Sequence, residues 1–359
     1  MRFILRAAVW LFVSLFALSL SSCAELALPA AQLYPQQAVD IKNISANTGP
    51  DAAINIAPTP LPTDTPAPTP TTAVIAPTAT AIAPTALPQA TDIPVAVMGP
   101  LDRACADTHG TLKDGFFQSK TLGRRQHYYI YLPPCYADGH NTRYPVIYLL
   151  HGIPMDERHW LDEGVVKVAD RLIGSGELPP FLMVMPHGDD SIYTDTSGGD
   201  KSFEDVLLND LLPFIESTYR TLTDAAHRSI GGISRGGVWA LEIAFTHPEM
   251  FNSVGGHSPA LSVNRASSDF DPLVLAKSAH IDKLRIFLDA GDADWTRYAT
   301  LDLSKALDDR YVPHTFTIGK GDHDYPYWAS QIEAYLKFYG APWKAEKIVE
   351  KQLAAATVP

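Results

Sequence analysis

The sequence predicts an α/β fold, a mostly parallel central sheet with helices on both faces, and three observations predict it. Continuous apolar runs of strand length, such as Val146-Ile147-Tyr148-Leu149-Leu150, mark strands buried on both faces. Helical patterns of about ten residues or more separate these runs, which implies right-handed crossovers between parallel neighbours. Finally, Gly232-Ile233-Ser234-Arg235-Gly236 fits the G-x-S-x-G pattern of a nucleophile elbow, entered by an apolar strand pattern and left by an apolar helical one. A serine on so sharp a turn sits in strained backbone and needs small neighbours, which Gly232, Gly236 and Gly237 supply.

Composition divides the 359 residues unevenly. Residues 1–22 have the basic start (Arg2, Arg6) and short apolar run of a targeting segment, ending Leu20-Ser21-Ser22-Cys23. That ending resembles the lipobox of bacterial lipoproteins, which implies acylation of Cys23 and anchoring to a membrane; cleavage as an ordinary secretory signal is the alternative. Both place the mature protein outside the cytoplasm. Residues 23–98 are a Pro/Thr-rich stalk, expected to be extended and solvated. Residues 99–345 hold the globular domain and 346–359 a C-terminal tail.

Within the domain, 116–122 and 126–132 are expected as paired strands. Strands follow at 146–150, 181–185, 229–233, 252–256, 285–289 and 314–318. Helices are expected at 165–173, 203–219 with Pro213 as a kink or early turn, 238–245, 298–309 and 328–338. The formal net charge of −12, with no basic stripe, argues against nucleic acid as a partner. With Cys23 lipidated, Cys105 and Cys135 remain as an even pair in an oxidising compartment and are expected to form a disulfide; two buried free thiols are the alternative.

A serine hydroxyl needs a base, and that base must come from a loop at the same carboxyl edge of the sheet. In this topology the order is serine, acid, histidine. Of the histidines after the elbow, His247 suits a helix cap, His280 a polar connection and His314 the wrong end of a strand. His257 could line the pocket. His323, in the glycine-rich loop Gly319-Lys320-Gly321-Asp322-His323-Asp324 after the last strand, stands where the base belongs. The loop after 285–289 offers two acids, Asp292 and Asp294. Asp292 directly follows the Gly291 turn, where it suits a loop cap, while Asp294 lies further along towards the His323 loop. The oxyanion hole needs two backbone N–H groups. Arg235 supplies one and the His151-Gly152-Ile153-Pro154 loop the other, from Ile153 because Pro154 has no N–H. His151 suits a structural hydrogen bond better than a second base.

Tyr148-Leu149-Leu150-His151-Gly152, Gly232-Ile233-Ser234-Arg235-Gly236-Gly237, Gly291-Asp292-Ala293-Asp294 and Gly321-Asp322-His323-Asp324 together resemble, in order and spacing, the esterase D-like family of α/β-hydrolases. That family includes feruloyl and acetylxylan esterases, siderophore esterases, S-formylglutathione hydrolases and mycolyltransferases. The resemblance implies the α/β-hydrolase fold, a serine esterase with no metal or organic cofactor, and Asp294 rather than Asp292 as the acid. Cys135, Pro154 and Arg235 depart from the family's usual residues. The long Arg235 side chain is expected to pair with Asp156 or Glu157 or to meet an anionic substrate. The expected activity is hydrolysis of extracellular esters, such as feruloyl or acetyl groups on polysaccharide, by Ser234, His323 and Asp294. Acyl transfer to a sugar hydroxyl and non-catalytic binding on the same fold are the rival readings. Trp160, Trp295 and Trp328 are candidates for stacking on an aromatic acyl group or sugar, or for packing.

Overall fold

The computed structural model describes residues 106–137, 142–188 and 190–356. The expected signal at 1–22, Cys23, the stalk at 23–98 and Cys105 lie outside the described residues. Cys135 is disulfide-bonded.

Eight strands form one mixed sheet in the order β1-β2-β4-β3-β5-β6-β7-β8. At one edge β1 (Thr111–Ser119) and β2 (Arg124–Leu132) form an antiparallel hairpin, and β2 is also antiparallel to β4 (Leu182–Pro186). From β4 onward, β3 (Val146–Leu150), β5 (Arg228–Ile233), β6 (Ser253–His257), β7 (Arg285–Gly291) and β8 (His314–Gly319) are parallel. The hairpin begins earlier than expected. Residues 111–114 of β1 are exposed on the sheet's edge, so no apolar alternation marks them, and residues 120–123 are a turn that Gly123 closes at φ 67°.

The continuous apolar run in β3 divides between two cores by the period of two. Val146, Tyr148 and Leu150 pack into one, with α6 (Arg235–Thr246) and α8 (Arg297–Asp308); Ile147 and Leu149 pack into the other, with α2 (Val165–Gly174) and α9 (Tyr325–Ala356). Both faces are covered, as a parallel sheet requires. Short helices α1 (His159–Asp162), α3 (Asp190–Asp195) and α7 (Pro272–Leu275) lie in the connections. The expected helix at 203–219 is α4 (Phe203–Asp205), a π-helical segment (Val206–Leu211) and α5 (Leu212–Thr218). The wide turn precedes Pro213, which falls in the first turn of α5, where its missing N–H costs least.

The last helix runs past 338, through Gly340 and Pro342, and past 345 to Ala356. Pro342 cannot donate to Phe338 O, four residues back, and that carbonyl instead accepts from the Arg285 guanidinium at 2.9 Å. The next residue, Trp343, is buried against Phe181 and donates its indole N–H to Ala226 O at 3.0 Å.

Candidate active site

Because β3, β5, β7 and β8 run parallel, their carboxyl ends deliver four loops to one edge. The strand-to-helix turn after Ile233 holds Ser234 at φ 58°, ψ −117°, a conformation rare outside glycine. The glycines around it are required by contact. A Cβ on Gly232 would stand 2.2 Å from the Gly236 backbone, and one on Gly236 would stand 2.4 Å from Leu150 O. The turn is held from below: Ser234 N–H donates to His257 O at 2.9 Å, and Ser234 O accepts from Val238 and Ala260 N–H, each at 3.1 Å.

Ser234 Oγ lies 3.0 Å from His323 Nε2. The other ring nitrogen, Nδ1, lies 3.0 and 3.1 Å from the two carboxylate oxygens of Asp294. A carboxylate only accepts, so Nδ1 carries the proton and Nε2 is free to accept from the serine hydroxyl. Asp294 is fully buried, and Thr296 donates to its Oδ1 through both the backbone N–H (2.7 Å) and the hydroxyl (2.8 Å). Burial pushes this carboxyl's pKa up, but hydrogen bonds from His323, Ser258 and the Thr296 N–H outweigh it and hold it below the ordinary range. Ser258 is itself fixed by the Trp328 indole N–H at 3.0 Å. The His323 ring lies between Trp295, with ring centres 4.8 Å apart, and the edge of Trp328, at 5.0 Å.

Asp292 has the other role. Its Oδ1 accepts from Gly321 N–H at 3.0 Å, and Asp292 and Ala293 N–H donate to Gly319 O and Gly321 O. These bonds fasten the acid loop to the histidine loop. Gly291 permits the approach, since a Cβ there would stand 2.3 Å from Gly321 O.

Ser234 opens into a cavity of about 570 Å³ lined by Ile153, Thr196, Asn264, Arg265 and Trp295 among others. Arg235 is the first residue of α6, where a helix has no internal acceptor for the N–H, and Ile153 lines the same cavity from the loop after β3. His151 is occupied structurally. Gly188 N–H donates to its Nε2 at 2.8 Å, so its proton is on Nδ1, which donates to Gly152 O at 2.9 Å. Burial lowers its pKa to about 4 and keeps the ring neutral.

Several side chains lie elsewhere than expected. The Arg235 guanidinium meets neither Asp156 nor Glu157. It donates to Tyr193 O, Thr196 O and Asn264 Oδ1 and lies 4.7 Å from the Trp239 ring centre, so main-chain carbonyls and an aromatic face have taken the place of a carboxylate. Asp156 accepts from Arg158 N–H, and Glu157 bridges His127 and His187 at 2.6 Å each. His257 does not line the pocket. It is fully buried beneath the sheet's edge, bonded to Asp289 at 2.7 Å and Tyr339 at 2.9 Å and stacked on Tyr335. Of the three tryptophans, Trp160 and Trp328 are packed in the interior and Trp295, 47% exposed, faces the cavity. His247 ends α6 and pairs with Glu204, as a capping residue would.

A family model described as "Putative esterase" matches residues 119–339, which include all four loops. The chain belongs to this esterase family. It is 34% identical over 154 residues to an endo-1,4-beta-xylanase/feruloyl esterase of Xylanibacter ruminicola, covering 41% of this chain and 21% of that protein. It is 29% identical over 153 residues to esterase Rv1288 of Mycobacterium tuberculosis, covering 42% and 32%. The chain thus spans between about a fifth and a third of these curated relatives. A solved ferulic acid esterase matches with 26% identity and a TM-score of 0.60, over 65% of this chain and 99% of that one. The sheet and its flanking helices are those of the α/β-hydrolase fold.

Proposed function

We propose that the protein is a serine carboxylic-ester hydrolase in which Ser234 is the nucleophile, His323 the base and Asp294 the acid that orients it. The observation that carries this is the hydrogen-bonded chain Ser234 Oγ–His323 Nε2 and His323 Nδ1–Asp294, set on a strained turn that opens into a cavity. His323 Nε2 takes the hydroxyl proton as Ser234 Oγ bonds to the ester carbonyl carbon. The N–H groups of Ile153 and Arg235 bind the oxyanion. His323 then passes the proton to the departing alcohol, leaving an acyl-serine. Water, deprotonated by the same imidazole, attacks that acyl group and releases the acid and free Ser234.

The feruloyl esterase named among the relatives supports an acylated polysaccharide as substrate. The signal-like start and Cys23 support an anchored location, and the Pro/Thr-rich segment supports a spacer between anchor and domain. The test offers the purified chain methyl ferulate, acetylated xylan and long-chain esters, with and without a sugar acceptor. Release of free acid, fastest with one of the first two, is the expected result. Transfer of the acyl group to the sugar, or turnover of none of these esters, would overturn the reading.

A further inference from the structure

His159 lies outside the Ser–His–Asp chain, yet it is buried beside it and bonded to the loop next to the nucleophile. That loop passes very close to the serine: a Cβ on Gly152 would stand 3.2 Å from Ser234 Cβ and 3.3 Å from Ile233 O. Gly152 N–H donates to His159 Nδ1 at 3.0 Å, and Gly152 O accepts from His151 Nδ1 at 2.9 Å. The two peptide groups flanking Gly152 are therefore each held by an imidazole. Within a trans peptide the C=O and the next N–H point in opposite directions. The His151 bond to Gly152 O thus sets the peptide that carries the Ile153 N–H, and the His159 bond to Gly152 N–H fixes the peptide before it, so the two together aim the Ile153 N–H.

We propose that His159 is a positioning residue for the oxyanion hole: by accepting from Gly152 N–H it holds the β3–α1 loop so that Ile153 N–H faces the carbonyl attacked by Ser234. The inference rests on the esterase reading above. The loop is built for it. His159 N–H bonds back to Asp156 O at 3.0 Å, so the chain turns at 156–159 and returns the ring to the loop's start. The ring is clamped edge-on by Tyr325 (5.3 Å between centres) and Trp328 (5.4 Å), the same Trp328 that abuts His323.

The acceptor role requires a neutral ring, whose proton is then on Nε2, and burial keeps the ring neutral. Nε2 faces Glu163 Oε1 at 3.6 Å. Burial lowers the ring's pKa to about 4, with His323 acting in the same direction and Asp162 and Asp156 opposing. Burial, with Asp162 and Asp324, raises the Glu163 carboxyl to about 8. At neutral pH the ring is uncharged, and no imidazolium N–H opposes the Gly152 N–H.

The experiment compares His159→Phe, His159→Leu and His159→Asn in the full chain. Phe and Leu fill space without an acceptor, whereas the Asn oxygen can stand close to where Nδ1 stood. Deleting an oxyanion donor outright costs about 10²–10³ in kcat. A donor that is misaimed rather than lost should cost less, about 10- to 100-fold. The expected result is that loss in kcat for Phe and Leu, KM within about twofold, and Asn within about threefold of wild type. If Phe fails to fold, as shown by its melting curve, Leu against Asn gives the same comparison. Full kcat in a folded acceptor-free variant would overturn the proposal, and so would an Asn variant as slow as the others. Hydrolysis that survives Ser234→Ala would instead overturn the esterase reading itself, which separates the two failures.

Discussion

Replacing Asp294 by asparagine changes one atom and should nearly stop the reaction. Thr296 N–H and its hydroxyl both bond Oδ1 of Asp294, and a backbone N–H can only donate. The amide oxygen of the variant must therefore occupy the Oδ1 position, which puts its NH₂ where Oδ2 stood, 3.1 Å from His323 Nδ1. Nδ1 then faces a donor as well as the remaining oxygen, which favours the tautomer with the proton on Nε2, and in that tautomer Nε2 can no longer take the proton of Ser234. In the worked serine-protease example the same change costs about 10⁴ in kcat. That corresponds to about 5.5 kcal/mol of barrier. Asp292→Asn keeps an oxygen for Gly321 N–H and should cost less than about tenfold, with the larger effect on stability. The assay is kcat for methyl ferulate or a chromogenic acetate at pH 7–8, with melting curves for both variants. An Asp294→Asn enzyme within tenfold of wild type, or an Asp292→Asn enzyme as slow, would refute this reasoning.

Other consequences follow from the same residues. Glu242 is fully buried, and burial, with the Glu204 and Asp271 charges nearby, raises its carboxyl from 4.5 to about 8 against the opposing effects of the Gly198 N–H and the Arg235 guanidinium. Folding then requires proton uptake, so this group's stabilising contribution falls as pH rises from about 4.5 to 8. Glu242→Gln keeps an acceptor for Gly198 N–H and should gain melting temperature relative to wild type on going from pH 5 to pH 8; a pH-independent difference would contradict the shift. Cys23→Ser should move the protein from the membrane fraction to the soluble one without lowering specific activity, and unchanged fractionation would count against lipidation. Thiol titration of the denatured, unreduced, lipidated chain should find no free cysteine; two titratable thiols would exclude a Cys105–Cys135 bond.

Much of the fold was legible because a parallel sheet buried on both faces makes strands of nearly continuous apolar residues. Val146–Leu150 was marked at both ends for that reason, and the elbow was marked by glycines that close contacts demand. The exposed start of β1 was not legible, since an edge strand carries no apolar signal there. The extent of α9 was hidden by Gly340 and Pro342, because the group that satisfies Phe338 O comes from Arg285, far away in the chain. The placement of Ser234, His323 and Asp294 at one edge followed from the order of strands and loops. The destinations of Arg235 and His257, and the bond from Gly152 to His159, did not. Their partners are main-chain groups in irregular segments or residues paired only across the sheet, and neither leaves a spacing to read.

The most direct test of the central claim is kcat of Ser234→Ala in the full chain, paired with fluorophosphonate labelling of the wild type. Wild type should be labelled at Ser234 and inactivated in proportion. Ser234→Ala should melt close to wild type, take no label and lose at least about 10³ in kcat, since loss of a triad nucleophile removes the covalent route. A folded Ser234→Ala chain that keeps more than about a hundredth of wild-type kcat, or a label found on another residue, would contradict the account.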